Sequence, residues 1–251
     1  MKLIWAGVLL LLVLIAPELA QHSPTEPVAP PYSPPGTGGL LGTDYLGRDV
    51  VSRLLHGGRP MVLTSLLAAL AGSGLGALAG LSVAFGRHWV ETVVMRPLDA
   101  LAAVPPILLL LLVLTALPNR VGVVLAVALA SVPLAARVAR AAAEQVMGRA
   151  HIEAAVARGE GWGWLVGREV LPLVRGTLLA DLGVRFVMAV YLVAAAGFLG
   201  LSTSDSDWGL LVVEALPGAA LQPIALLAPV LGIALLAVTA NLWTDRRAAC
   251  S

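Results

Sequence analysis

Along the chain, hydrophobic residues come in long, nearly unbroken runs rather than in alternating or one-faced patterns. A helix that crosses a bilayer needs roughly 20 mostly apolar residues. Six segments reach or approach that length: Leu3 to about Ala16, Met61 to Phe85, about Leu98 to Leu117, Val121 to Ala136, about Leu178 to Leu201, and Ile224 to Trp243. Proline or charge closes several of them, as at Pro17, at Pro118-Asn119-Arg120, and at Arg137 and Arg140. The runs are built from Leu, Ala and Val and lack the period-two alternation of a membrane barrel. The pattern predicts an all-α polytopic membrane protein with six transmembrane helices.

Composition agrees. The chain is 59% hydrophobic and 12% charged, with a mean hydropathy of +0.90, whereas a soluble domain is about 45–50% apolar and about 25% charged. The excess must face lipid. A net charge of +1 and the absence of a strongly basic domain give no argument for a nucleic-acid partner. The single cysteine, Cys250, allows no internal disulfide and no Cys-based metal cluster.

Basic residues orient the spans. With the N-terminus inside, the cytoplasmic side collects Lys2, Arg87, Arg96, Arg137, Arg140, Arg149, Arg158, Arg168, Arg175, Arg246 and Arg247. The outer side holds only Arg48, Arg53, Arg59 and Arg120, which predicts both termini in the cytoplasm. The resulting organisation is a first helix over 1–20, an extracytoplasmic segment over 21–60, a transmembrane domain over 61–247 with a cytoplasmic loop at about 137–177, and a tail over 248–251. The rival reading of the first span is a short cleaved signal peptide ending near Glu18-Leu19-Ala20.

Chemistry is sparse. His22, His56, His88 and His151 all fall outside the spans, and the chain has no HExxH, no Gly-x-Ser-x-Gly and no phosphate loop. No enzyme and no metal site is expected. Asp181 and Arg185, spaced i, i+4, read as a mutual ion pair. Gly72, Gly76 and Gly80 form a ridge that lets another helix approach closely. A gradient-driven secondary transporter is the alternative from another class, but the spans are nearly free of ionisable residues and show no convincing duplication.

The cytoplasmic loop is more informative. Glu153-Ala154-Ala155, Gly159 and then Leu171-Pro172 predict a short helix with small residues, a glycine turn, and a second helix broken at proline. Such a unit can dock as a knob in a groove of a soluble partner. In register, Glu153, Ala154, Ala155, Gly159, Arg168, Leu171 and Pro172 resemble the EAA loop of binding-protein-dependent ABC importer permeases, with Glu169 where histidine is frequent.

A second stretch resembles the dipeptide, oligopeptide and nickel subfamily of those permeases. It comprises Gly42, Thr43, Asp44, Leu46, Gly47, Arg48, Asp49, Ser52, Arg53 and Arg59, around GTDYLGRD. Met95-Arg96 with Asp99 and Pro105, and Phe198-Leu199-Gly200-Leu201 before Trp208-Gly209, follow the same pattern. Departures are Pro60, the run Val193 to Gly197, and the polar run Ser202 to Asp207.

The resemblance implies a type I, MetI-like permease fold in the cytoplasmic (inner) membrane. It implies a homologous second permease, two ATPase subunits that use ATP and Mg²⁺, and an extracytoplasmic solute-binding protein as partners. This chain would bind no cofactor and catalyse no bond chemistry. Its EAA loop would couple the ATPases to alternating access, with Pro172 setting the exit angle. The outer motif would contact the binding protein or brace the outer gate, or would serve as a structural ion network at the membrane surface. Di- or oligopeptides are the expected substrate, and nickel or a metal–metallophore complex is the alternative. No His, Cys or Met cluster lines a span, so bare-metal coordination is unsupported.

Overall fold

The computed structural model describes residues 11–86, 88–201 and 204–248. Lys2, Arg87, Cys250 and most of the expected first span lie outside them. Helix α1 is described over residues 11–15 and ends in a 3-10 turn, Ala16–Leu19, with Pro17 in its first positions. A segment without regular structure then leads to α2 (Val50–Ala84). It is followed by α3 (His88–Ala102), α4 (Pro106–Ala116), α5 (Arg120–Met147), α6 (Ala150–Ala157) and α7 (Trp162–Trp164). Then come α8 (Leu171–Phe198), α9 (Trp208–Ala215) and α10 (Pro223–Ala248). Among the described residues the β pairing consists of isolated bridges, Pro27 with Arg48 and Thr43 with Asp49.

Among the described residues, four helical stretches are long and apolar enough to cross a membrane: Val50–Ala84, Arg120–Met147, Trp162–Phe198 and Pro223–Asn241. The expected span from Leu98 to Leu117 is not one straight helix. It is the pair α3 and α4, bent by 95°. The cause is Pro105-Pro106, which removes two N–H donors and forces the preceding residue out of helical geometry. Pro105 sits at φ −56°, ψ 132°, and Pro106 then opens α4. Counted as one span, the pair brings the described crossings to five.

Several helices also outrun their apolar runs. α2 begins eleven residues before Met61, where the Asp49 carboxylate caps it by accepting from Val51 and Ser52 N–H groups at 3.2 and 3.0 Å. α5 continues past Ala136 to Met147, so the first part of the expected 137–177 loop is an extension of α5. Arg137 on that extension meets Asp99 of α3 at 2.6 Å, and Arg140 meets Glu91 at 2.8 Å.

α2 and α5 form the closest helix pair, with α8 against both and α9 and α10 packed on α8. A Cβ on Gly72 would lie 2.7 Å from Ser131 Cβ, and one on Gly76 would lie 2.5 Å from Ala135 Cβ and 2.8 Å from Val132 O. One on Gly80 would collide with Ala136 O. The facing residues of α5 are themselves small, so the two backbones touch almost directly. One core cluster, including Met61, Leu110, Leu114, Val127, Val190, Trp208 and Leu236, fills the middle of the bundle. A second, including Leu81, Ala143, Val146, Ile152, Val166, Val170 and Val174, fills the α6 end. Outside, Leu67, Leu112, Leu231 and Val238 are each more than half exposed, the arrangement lipid requires.

The ridge makes a paired prediction. Gly76→Val should cost roughly 1–3 kcal/mol or more by forcing α2 from α5. Gly74→Ala, where a Cβ meets nothing within 4 Å, should be neutral or stabilising by up to about 1 kcal/mol. Thermal unfolding of the detergent-solubilised variants checks both. Equal midpoints would contradict the close packing.

Candidate functional site

Two groups of the sequence-selected residues come together, at opposite ends of the α2–α5 pair. At the α6 end, Arg149 leads into an eight-residue helix with the sequence AHIEAAVA. Ile152 is 1% exposed and belongs to the second core cluster, and Ala155 is 0% exposed, while Glu153, Ala154, Val156 and Ala157 face outward. The i, i+3 pair thus seats the helix and leaves its other face free. Ala155 is thus buried within this chain, whereas Ala154 is exposed.

Gly159 closes the helix at φ +77°. Its N–H donates to Val156 O at 2.9 Å, and the Glu160 N–H donates to Ala155 O at 3.3 Å, the two bonds of a Schellman cap. Nothing lies within 4 Å of where its Cβ would be, so backbone conformation, rather than space within the chain, calls for glycine.

The expected break at Pro172 is absent. Trp162–Phe198 runs as one helical stretch, with a π-helical turn, Leu165–Val170, directly before Leu171 and Pro172. The wider turn accommodates a residue that can neither donate nor avoid crowding the preceding turn. Leu171, Pro172 and Arg168 are exposed. Glu169 lies 3.8 Å from His151 and so bridges the turn to α6, and Arg158 stacks 6.0 Å from the Trp164 ring.

At the other end the GTDYLGRD residues build a buried ionic cluster. Asp44 Oδ1 accepts from the Leu46 and Arg48 N–H groups, each at 2.9 Å, and its Oδ2 accepts from Arg48 Nε and Arg53 Nη1, each at 2.7 Å. Arg53 is 2% exposed, and its Nη1 also donates to Glu214 Oε2 of α9 at 2.7 Å. Tyr45 OH donates to Glu214 Oε1 at 3.1 Å. Partial burial, with the Glu214 carboxylate beside it, raises the Tyr45 pKa and keeps its proton in place. Burial works against charge on Arg48, but Asp44 and Glu214 outweigh it and hold its pKa above the usual arginine value.

The remaining motif residues shape this cluster. Asp49 Oδ2 also accepts from Ser52 Oγ at 2.6 Å. Thr43 is fully buried and its hydroxyl donates to Pro30 O at 2.7 Å. Gly42 and Gly47 both have positive φ, and at each a Cβ would strike a carbonyl oxygen. The Leu46 side chain is exposed, its part in the cluster being its N–H, and Arg59 is exposed and stands apart.

Sequence reading missed Glu214 and Gln222. Gln222 Nε2 donates to Ser33 O and Leu41 O, each at 3.0 Å, and ties the segment before α2 to the start of α10. The signal for Glu214 was its place as the lone charge in the apolar run WGLLVVEA, which calls for a buried cation. The Trp208-Gly209 element meets α2: Trp208 Nε1 donates to Leu54 O at 2.8 Å, and a Cβ on Gly58 would lie 2.9 Å from its ring. Asp181 and Arg185 form their expected pair at 2.8 Å.

Comparison with known proteins adds the family. The family described as binding-protein-dependent transport system inner membrane component matches residues 72–247. A putative peptide transport system permease protein of Brucella suis biovar 1 (strain 1330) is 33% identical over 217 residues, 83% of this chain and 73% of that protein. The di/tripeptide transport system permease protein DppC of Pseudomonas aeruginosa (strain UCBPP-PA14) is 33% identical over 212 residues, 80% of this chain and 70% of its own. Among solved structures, a chain of the inward-facing MetNI methionine ABC transporter superimposes with a TM-score of 0.62 at 16% identity. It covers 78% of this chain and 96% of that one, a likeness of fold.

The ionic cluster predicts strong coupling between Arg53 and Glu214. Arg53→Met should destabilise the protein by roughly 3 kcal/mol, because it removes the buried cation that Asp44 and Glu214 share and leaves Arg48 as their one guanidinium partner among the described residues. In a double-mutant cycle with Glu214→Leu, measured by thermal unfolding in detergent, the double variant should recover at least about 1 kcal/mol of the summed losses. Additive losses would contradict a shared cluster.

Proposed function

The chain belongs to the family of binding-protein-dependent transport system inner membrane components, and on that premise we propose that it is the permease subunit of an ATP-driven importer of di- or oligopeptides. The observation that carries the proposal is α6, a short helix seated by Ile152 and Ala155, open on the face of Glu153, Ala154, Val156 and Ala157, and closed by the Gly159 turn. That open face suits docking into a soluble partner. The names of the relatives as peptide and di/tripeptide permeases support the substrate class.

In this reading two ATPase subunits receive α6 on the cytoplasmic side and use ATP and Mg²⁺, and this chain performs no bond chemistry. A homologous second permease completes the path, and an extracytoplasmic binding protein delivers the peptide. Glu153 offers a carboxylate to the ATPase, while Arg168, Leu171 and Pro172 flank the docking face. Displacement of α6 is transmitted along α5, which continues almost directly into it, and through the π-helical turn into α8. Because α5 is locked to α2 at Gly72, Gly76 and Gly80, the displacement reaches the opposite membrane surface, as alternating access requires. The buried cluster at Asp44, Arg48, Arg53 and Glu214 braces that surface, which faces outward with both termini inside.

Gly159 tests the proposal. A β-branched residue at φ +77° costs roughly 1–2 kcal/mol and opens the turn. Gly159→Val should insert into the membrane yet lose ATPase stimulation on the order of tenfold, whereas Gly159→Asn, which tolerates positive φ, should retain most of it. Wild-type stimulation in Gly159→Val would remove the turn from the coupling role.

A further inference from the structure

We infer that the membrane surface on the side of residues 17–60 carries a binding site for the phosphate headgroup of a phospholipid, centred on Arg59 and Arg120. Between the end of α1, α2, the start of α5 and the 204–206 turn lies an open cleft of about 330 Å³. Arg59 and Arg120 both line it, and among the described residues neither is held in a close ion pair. Among the described residues Arg59 has only Glu18 within ion-pair distance, at 3.9 Å, with side-chain exposures of 52% and 75%, a separation and exposure at which a pair contributes little. No carboxylate among the described residues comes within ion-pair distance of Arg120, the exposed first residue of α5.

Ser206 adds a polar residue to the lining. His56 also lines the cleft. Its Nδ1 is held by Ser52 O at 2.8 Å, which leaves Nε2 as its free nitrogen. Asp205 adds one carboxylate to the rim, and Arg53 fixes its backbone by donating to Asp205 O. Two guanidiniums for a phosphate and one carboxylate for an ammonium match a zwitterionic headgroup such as phosphatidylethanolamine.

Position decides for a lipid over a soluble anion. Arg59 and Arg120 each stand where a polar stretch gives way to an apolar one, just ahead of Met61 and Val121, which is the level of the headgroups. Below them the cleft opens onto Leu63, and Leu67, Leu70 and Leu78 follow on the same face of α2, each between 42% and 58% exposed. That face points away from the ridge that packs on α5, and Gly74, lying between Leu70 and Leu78, has open space beside it. An acyl chain can run down this stripe while its phosphate sits between the guanidiniums.

The test is phospholipid retention by the transporter complex purified from membranes and washed in detergent, read by native mass spectrometry and by titration with phosphatidylethanolamine nanodiscs. The wild type should retain bound phospholipid. Arg59→Gln and Arg120→Gln should each weaken binding about tenfold, the double variant more, and Arg59→Lys less. Leu67→Gln, an exposed position that leaves both cations in place, should also weaken it, and millimolar inorganic phosphate should not displace the lipid. Unchanged retention in the double variant or in Leu67→Gln would overturn the site. So would displacement by inorganic phosphate. Loss of binding-protein docking in the double variant, with lipid retention intact, would also overturn it and assign the cleft to acidic side chains of that protein.

Discussion

Helices α2 and α5 lie so close that the backbone of one occupies the space a side chain on the other would need. At Gly76 a single added carbon would stand 2.8 Å from a carbonyl oxygen of α5, and at such separations the interface cannot deform gradually. The two helices therefore act as one rigid pair. The cluster around Arg53 grows from one end of the pair, where Asp49 caps α2. From the other end α5 passes through Gly148 and Arg149 into α6. The two sites are thus joined by a spine with little room to flex.

The ends are held with very different strength. The segment before Asp49 has turn and bridge backbone bonds, such as Val28 N–H to Gly47 O and Tyr32 N–H to Asp44 O, and buried side chains tie it further: Thr43 to Pro30, Gln222 to Ser33 and Leu41, and Asp44 to Arg48 and Arg53. Each bond to a buried charge is worth more than a neutral one, and its loss would strand a partner. By contrast, α6 rests on Ile152 and Ala155 with a glycine cap behind it. Elements that move in a working cycle come from the weakly held part of a structure. One pinned end and one lightly seated end suit a device that is pushed from one side.

Much of this was legible in the sequence, and the gaps have physical causes. Hydropathy located the spans because lipid contact demands continuous apolar runs, and the glycine spacing pointed to the α2 face that meets α5. Hydropathy does not register backbone geometry, so Leu98 to Leu117 read as one helix although Pro105-Pro106 bends it by 95°. It also underestimated α2 and α5, whose polar ends stay helical beyond the apolar stretch. Motif spacing found Asp44, Arg48 and Arg53, but Glu214, the carboxylate that Arg48 and Arg53 share, lies 161 residues beyond Arg53. Only its isolation among apolar neighbours hinted at it. The inward turn of Ala155 depends on the tertiary packing of α6 against Val166 and Val170, which helical periodicity alone does not specify.

The family match, the MetI-like fold and the open face of α6 converge on a subunit that is driven by others. Uptake of a labelled dipeptide into vesicles reconstituted with this chain, its permease partner, the ATPases and the binding protein tests that most directly. Uptake should require ATP and each of the partners, and should persist when proton and sodium gradients are collapsed. Uptake by this chain alone, driven by an ion gradient without ATP, would contradict the account.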